Sequence, residues 1–364
     1  MKQQTPSKSH HPVQDLEPED IQCLGECVRD LVACLGYGGP AADPVEASLF
    51  REAVDIAVYQ LTLRQGSRAR WRASGEQEPQ EGDPSDSLPI TMRDLAQVLI
   101  AQTGETGHSM QELKARAHFA LKLDSRCVEA CLLEGYVQER QKHYQQAEAT
   151  YQQALRLSLE QLGPDAFERA ARKEIHFWYS DRARPYMRAR AALAYLLWQK
   201  LGKVQEAIDH FKALLDLNPG DNQGNRYAVV CCLLEQGDDE ALGEALQRYF
   251  LYTDEYGEKM DIRETCWWYT NACWKFRRVS VAPERSSRQS ASKALHTAFR
   301  YNRHVPYFLL HPEALADFGE PDSYAHGAES EAAWYVNFVL KAWRQTPGAL
   351  DWLEASAKRA GLPV

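Results

Sequence analysis

The chain has 364 residues, 44% of them hydrophobic and 10% aromatic, so it can bury a sizeable core and is too apolar for bulk disorder. A formal charge of −9 disfavours general binding to nucleic acid, whose phosphates need clustered Lys and Arg. The most apolar stretch, Ala191 to Trp198, falls far short of the ~20 residues that cross a bilayer.

Residues 1–17 read as a polar tail without the apolar core of a signal peptide, which points to a cytoplasmic protein with no membrane role. Residues 18–65 read as a helical hairpin. Ile21, Leu24, Val28, Leu31, Val32 and Leu35 recur at helical spacing, Gly36 to Pro40 stop that helix, and a second runs from about Val45 to Arg64. Residues 66–89 have the composition of a flexible linker, with no aliphatic side chain larger than alanine between Trp71 and Leu88. Past Pro89 every pattern is helical.

The stretch Arg188 to Asp221 places Ala191, Ala194, Trp198, Gly202, Ala207, Phe211, Leu214 and Pro219 at the spacing of a tetratricopeptide unit, whose period is about 34 residues. Each residue has a physical task there. Ala207 lets the second helix approach the first, Phe211 fills the gap between units, Gly202 lies in the turn, and Pro219 ends the second helix. Val128 to Gln161 repeats the pattern with Cys131, Gly135, Ala147, Tyr151 and Ala154. Two units are degenerate: Asp94 to Cys127 keeps Ala101, Leu113, Ala117 and Ala120, and Asn222 to Glu255 keeps Ala228, Gly237 and Ala241. An insertion at 162–187 interrupts the array, with Phe167, Ala171, Ile175 and Trp178 spaced for an extra helix. The expected fold is all-α, a tetratricopeptide-like helical repeat array (α-solenoid) over 90–255 with extra N- and C-terminal helices.

The region 256–364 reads as helical. It holds the cluster Cys266, Trp267, Trp268, Tyr269, Cys273 and Trp274, then a turn at Asn302 to Pro306, where Pro306 biases Val305 to extended geometry. Two last helices carry Tyr335, Phe338 and Trp343, then Leu350, Trp352 and Leu353. The segments NRHVPYFLL, ESEAAWYVNFVLKAW and PGALDWL, with RPYMRARAALAYLLWQKLGKVQEAIDHFKALLDLNPGDNQGNRY before them, resemble the C-terminal part of bacterial tetratricopeptide proteins of unassigned function. More distantly they resemble the C-terminal region of the eukaryotic suppression-of-tumorigenicity (seventh member) family. The resemblance covers roughly 184–353 and leaves 1–90 outside. It implies a repeat scaffold rather than a reaction; the membrane spans expected of the eukaryotic family have no counterpart here.

Such arrays bind through the first helix of each unit. The candidate face holds Tyr136 and Arg140 with Glu129, Leu132 and Leu133; Ala189, Ala192, Leu193, Leu196 and Gln199; and Gln223, Arg226, Tyr227, Val230 and Leu233. It lacks the Lys, Asn and Arg set that clamps a chaperone's C-terminal carboxylate, and its character suits an amphipathic helix or peptide. The competing reading has these apolar residues packed against the insertion or the C-terminal helices. A second candidate is the arginine-rich basic stretch Arg169, Arg172, Lys173, Arg182, Arg184, Arg188 and Arg190, where guanidinium groups would meet phosphates or carboxylates; the alternative pairs them with Glu168, Glu174 and Asp181.

Nine cysteines without paired C-x-x-C knuckles read as buried small hydrophobes rather than zinc ligands. His304 has no nucleophile or carboxylate at a motif spacing, and no phosphate loop, nucleophile elbow or zincin helix occurs. The expectation is therefore a non-enzymatic scaffold or adaptor without cofactor, catalytic residue or metal, holding a protein or peptide partner. The alternative is a regulatory module that takes nucleic acid or a phosphorylated ligand through the arginine stretch.

Overall fold

The computed structural model describes residues 16–35, 44–74, 90–105, 107–250, 264–281, 287–318 and 324–364. The polar tail up to residue 15, the stop at Gly36 to Pro40, the end of the 90–255 array and most of the expected linker lie outside them, whereas Leu16, read as part of the tail, is buried in the core. Among the described residues the regular structure is entirely helical. The chain divides into two compact units, Met1–Gln161 and Leu162–Val364.

In the first unit, α1 (Pro18–Leu35) and α2 (Pro44–Ser74) precede α3 (Met92–Ala101), α4 (Met110–Leu123), α5 (Val128–Arg140) and α6 (Tyr144–Leu162). Helix α2 runs through residues 66–74, which composition assigns to the linker. Two starts are fixed by reciprocal capping boxes that satisfy orphan amides. Thr91 and Asp94 cap α3, and Ser109 and Glu112 cap α4. The Ser109 amide and hydroxyl hold the Glu112 carboxyl below its usual range.

The N-terminal hairpin packs on the degenerate first repeat. Leu31 of α1, Ala53 and Ala57 of α2, Leu95 and Leu99 of α3, and Phe119 of α4 share one core. A forked ion pair ties three of these four elements: Arg116 of α4 donates to both oxygens of Glu52 on α2 at 2.7 Å, and to the Leu99 carbonyl of α3 at 3.3 Å. The geometry is bidentate, the strong form of an arginine–carboxylate contact.

In the second unit, α7 (Ala166–Ala171) leads to α8 (Arg184–Gln199), α9 (Val204–Leu217), α10 (Asn225–Gln236) and α11 (Asp239–Phe250). Then come α12 (Thr265–Val281), α13 (Arg288–Tyr301), α14 (Val305–Leu310), α15 (Glu329–Gln345) and α16 (Ala349–Arg359). The repeat assigned from spacing is the α8–α9 pair: Ala194, Ala207, Phe211 and Leu214 are wholly buried, and Gly202 turns at φ +67°. Helices α10 and α11 form the next pair, with Gly237 at φ +82° between them, although Ala241 is half-buried while its neighbour Leu242 is wholly buried. The pattern slips by one residue there, which accounts for the weak signal. In the Asp94 unit Ala101 is exposed at the end of α3.

Two expectations need correction. The helix expected through Ile175 and Trp178 ends at Ala171, because Lys173 takes a left-handed φ of +60° and the chain continues in turns. Val305 is helical, with Pro306 in the first turn of α14, where the missing N–H has no intrahelical partner to lose.

Close helix approach is sharpest at Gly135, where α5 crosses α6. A Cβ added there would stand 2.6 Å from Cδ1 of the buried Tyr151 ring. Gly135→Ala should therefore destabilise the protein by about 1–3 kcal/mol in urea unfolding, through overpacking. A variant as stable as wild type would show that α5 and α6 do not meet this closely.

Candidate interaction faces and a buried ionic cluster

Helix α5 buries Val128, Ala130, Cys131 and Val137. Its outward stripe runs Glu129, Leu132, Tyr136 and Arg140, spaced three or four residues apart and so on one helix face. Leu132 is half-buried, Tyr136 is 38% exposed and Arg140 is exposed. Leu133, beside it, packs against the core.

The second unit differs. Leu196 and Val230 are wholly buried and Arg226 is nearly so. All three therefore leave the candidate face, and for Arg226 and Val230 the cause is that α10 packs against both α12 and α15. Phe338 of α15 stacks on Trp198 of α8 with ring centres 5.2 Å apart, and Trp334 meets Phe338 edge-on at 4.5 Å. The Trp198 indole N–H donates to Glu235 of α10 at 2.7 Å, and Lys341 of α15 donates to the other oxygen of that carboxylate at 2.5 Å. On the far side of α12, Arg277 donates to Asp239 and to the Leu234 carbonyl, and Trp274 covers Gly243.

Of the remaining candidates, Gln199 is half-buried. Gln223 donates to the Met187 carbonyl at 3.4 Å, and Tyr227 sits half-buried beneath the Arg226 guanidinium, edge-on to Trp267. Tyr136 and Arg140 belong to one compact unit and the other candidates to the other.

The arginine stretch is held by neighbours. Arg169 and Arg172 both reach Glu174, at 3.6 and 2.7 Å. Arg184 donates to the Trp178 carbonyl at 2.9 Å, lies over the Trp178 ring and stands 3.5 Å from Asp181. Arg190 bonds the Tyr186 hydroxyl, and Arg188 is exposed.

A feature that residue spacing does not reveal is a set of buried charges in the second unit. Asp221, at φ +45°, caps α10 by accepting from the amides of Asn225 at 2.7 Å and Arg226 at 3.0 Å. The Arg226 Nε donates to the same carboxylate at 2.7 Å. Arg226 also acts electrostatically on Glu264, the residue before α12. Glu264 accepts from the Tyr324 hydroxyl at 2.9 Å and lies beside His326, which in turn lies beside Glu331 of α15. Burial raises the Glu264 carboxyl above its usual range; Tyr324 and His326 oppose this and the Glu331 charge adds to it.

The cysteines sit among apolar neighbours, with Cys34 exposed and Cys23 half-buried. Burial pushes the thiols of Cys27 and Cys131 up to about 11 and those of Cys127 and Cys273 to about 12, which suppresses the thiolate that would bind metal. His304 lies 3.4 Å from Glu329 at the start of α15.

These helix pairs, with small residues where they cross, define a tetratricopeptide-like all-α protein. The "ST7 protein" family matches residues 98–361, and the chain belongs to that family. The match extends well beyond the 184–353 region in which the sequence segments carry the likeness. The suppressor of tumorigenicity 7 protein-like protein of Bos taurus is 26% identical over 264 residues, covering 66% of this chain and 43% of its own length. The Protein ST7 homolog of Drosophila melanogaster is 27% identical over 265 residues, covering 68% and 46%. The chain thus spans less than half the length of these relatives. The crystal structure of YrrB, described as a TPR protein with an unusual peptide-binding site, aligns at TM-score 0.38 and 16% identity over 64% of this chain and 90% of its own. A likeness at that score adds nothing to the fold assignment, which stands on the helix pairs themselves.

Removing Arg226 strands the Asp221 carboxylate, 1% exposed, in the interior. Arg226→Met should cost about 3–5 kcal/mol in urea unfolding, and Asp221→Asn in the same chain should recover part of that loss. A cost below ~1 kcal/mol would be that of a surface pair and would contradict the burial described here.

Proposed function

We propose that this chain is a non-enzymatic protein–protein interaction scaffold that receives a peptide or an amphipathic helix on the outward stripe of α5. What supports this reading is the contrast between the two units. Helix α10 is covered by the chain's own α12 and α15, and α8 meets α15 through the Trp198–Phe338 stack, whereas α5 carries the half-buried Leu132 and the exposed Tyr136. An aromatic ring beside a half-buried leucine, flanked by Glu129 and Arg140, offers apolar anchors with polar ends, the arrangement of a helix-binding groove. Tyrosine is also among the residues that most often anchor interfaces. The partner is a protein or peptide; Arg169, Arg172, Arg184 and Arg190 are engaged by their own neighbours, which weakens the case for a nucleic-acid or phosphate ligand.

The test is selection of peptides on the purified full chain, followed by affinity measurement against Tyr136→Asp, with its unfolding midpoint checked against wild type. The reading predicts selected peptides whose affinity falls tenfold or more in the variant, about 1.4 kcal/mol or greater. Peptides that bind the folded variant as tightly as wild type would refute the α5 face. Failure to select any peptide tighter than ~100 μM would refute the scaffold reading itself.

A further inference from the structure

The geometry points to a divalent-cation site of the zinc class formed by Glu264, His326 and Glu331, in the second unit and independent of the α5 face. The three residues come from three segments: the position before α12, the turn ahead of α15, and the first turn of α15 itself. One oxygen from each carboxylate and one imidazole nitrogen lie within 4.8 Å of one another. His326 Nε2 stands 3.8 Å from Oε1 of Glu264 and its Nδ1 stands 3.6 Å from Oε1 of Glu331. Two ligands held tetrahedrally at ~2.1 Å from zinc are about 3.4 Å apart, so a cation taken by one imidazole nitrogen requires the half-exposed ring to turn and the farther carboxylate to move in.

The hydrogen bonds around the cluster favour this arrangement. Each carboxylate has its far oxygen held by other donors. Oε2 of Glu264 takes the Tyr324 hydroxyl at 2.9 Å. Oε2 of Glu331 takes the Asn302 amide at 3.2 Å and the Gly327 N–H at 2.6 Å. Oε1 of Glu331 accepts the Thr265 N–H at 2.9 Å, and a carboxylate oxygen retains a second lone pair after one such bond. Metal-binding carboxylates are commonly oriented by such outer donors. The two Oε1 atoms are the pair turned toward the imidazole.

Charge supplies the second argument. Glu331 is 1% exposed, and Asp221 and Glu264 lie in the same buried polar region. The guanidinium acting on this group, Arg226, is already held by Asp221. Buried carboxylates are stable when paired with positive charge, and between Glu264 and Glu331 the interposed group is His326. A divalent cation bound to the imidazole and both Oε1 atoms supplies the missing charge directly. Thr265, wholly buried next to Glu264 and bonded through its N–H to Glu331, leaves its hydroxyl without a hydrogen-bond partner. His326 is 53% exposed, so a cation has a path from solvent and room to keep a water ligand. One imidazole and two carboxylates suit zinc or a neighbouring first-row ion over calcium, which takes only oxygen.

The experiment is calorimetric titration of the metal-stripped full chain with Zn2+, repeated on His326→Ala and Glu264→Gln, with Co2+ absorption reporting the ligand type. One equivalent of zinc should bind the wild type, at least tenfold more weakly in either variant, while the metal-free unfolding midpoints remain those of wild type. Bound cobalt should show no thiolate charge-transfer band. A wild-type chain without stoichiometric binding tighter than ~100 μM overturns the assignment. So does unchanged affinity in both variants, or a thiolate band that disappears when Cys34 is replaced by serine.

Discussion

A two-helix repeat can bury the seam between its own helices, but the first helix keeps an apolar stripe that something else must cover. In the second unit that stripe decides the arrangement around it. Helices α8 and α10 present Trp198, Leu196 and Val230, and α12 and α15 close over them with Trp267, Phe338 and Tyr335. Once α15 occupies that place, Lys341 meets Glu235, Glu331 meets the start of α12, and α14 and α16 pack against α15 in turn. The C-terminal helices are thus structural partners of the repeats. In the first unit, α1 and α2 cover α3 and α4, joined by the Arg116–Glu52 fork, and the outward stripe of α5 stays at the surface.

Burying the repeat face also carries charged groups inward. Asp221 caps α10 and holds Arg226; Glu331 accepts three N–H groups, from Thr265, Asn302 and Gly327. The Thr265 N–H to Glu331 bond ties the start of α12 to α15, and shifting one against the other would cost the buried carboxylate one of its donors.

Much of this was legible before any coordinates. Ala207, Phe211 and Gly202 identify the α8–α9 pair because helix crossing demands a small residue, a filler and a left-handed turn at fixed separations, all of them local. The limits are equally physical. Leu196 and Val230 have the spacing of a ligand face, but spacing says only that a stripe is apolar and not whether a ligand or the chain's own α15 covers it. Residues Ile175 and Trp178 keep helical spacing in a segment that Lys173 has already turned out of the helix. Glu264, His326 and Glu331 share no motif, since Thr265 and Glu331 are 66 positions apart and the fold alone brings them together.

Hydrogen exchange followed by mass spectrometry on the full chain tests the central claim, that α15 is a fixed part of the second unit's core and not a detachable occupant of its repeat face. If it is, peptides covering 225–236 and 329–345 exchange together, through the same slow cooperative opening. Rapid exchange across 329–345 while 225–236 stays protected would contradict it, and would make the second unit's repeat face one that can open.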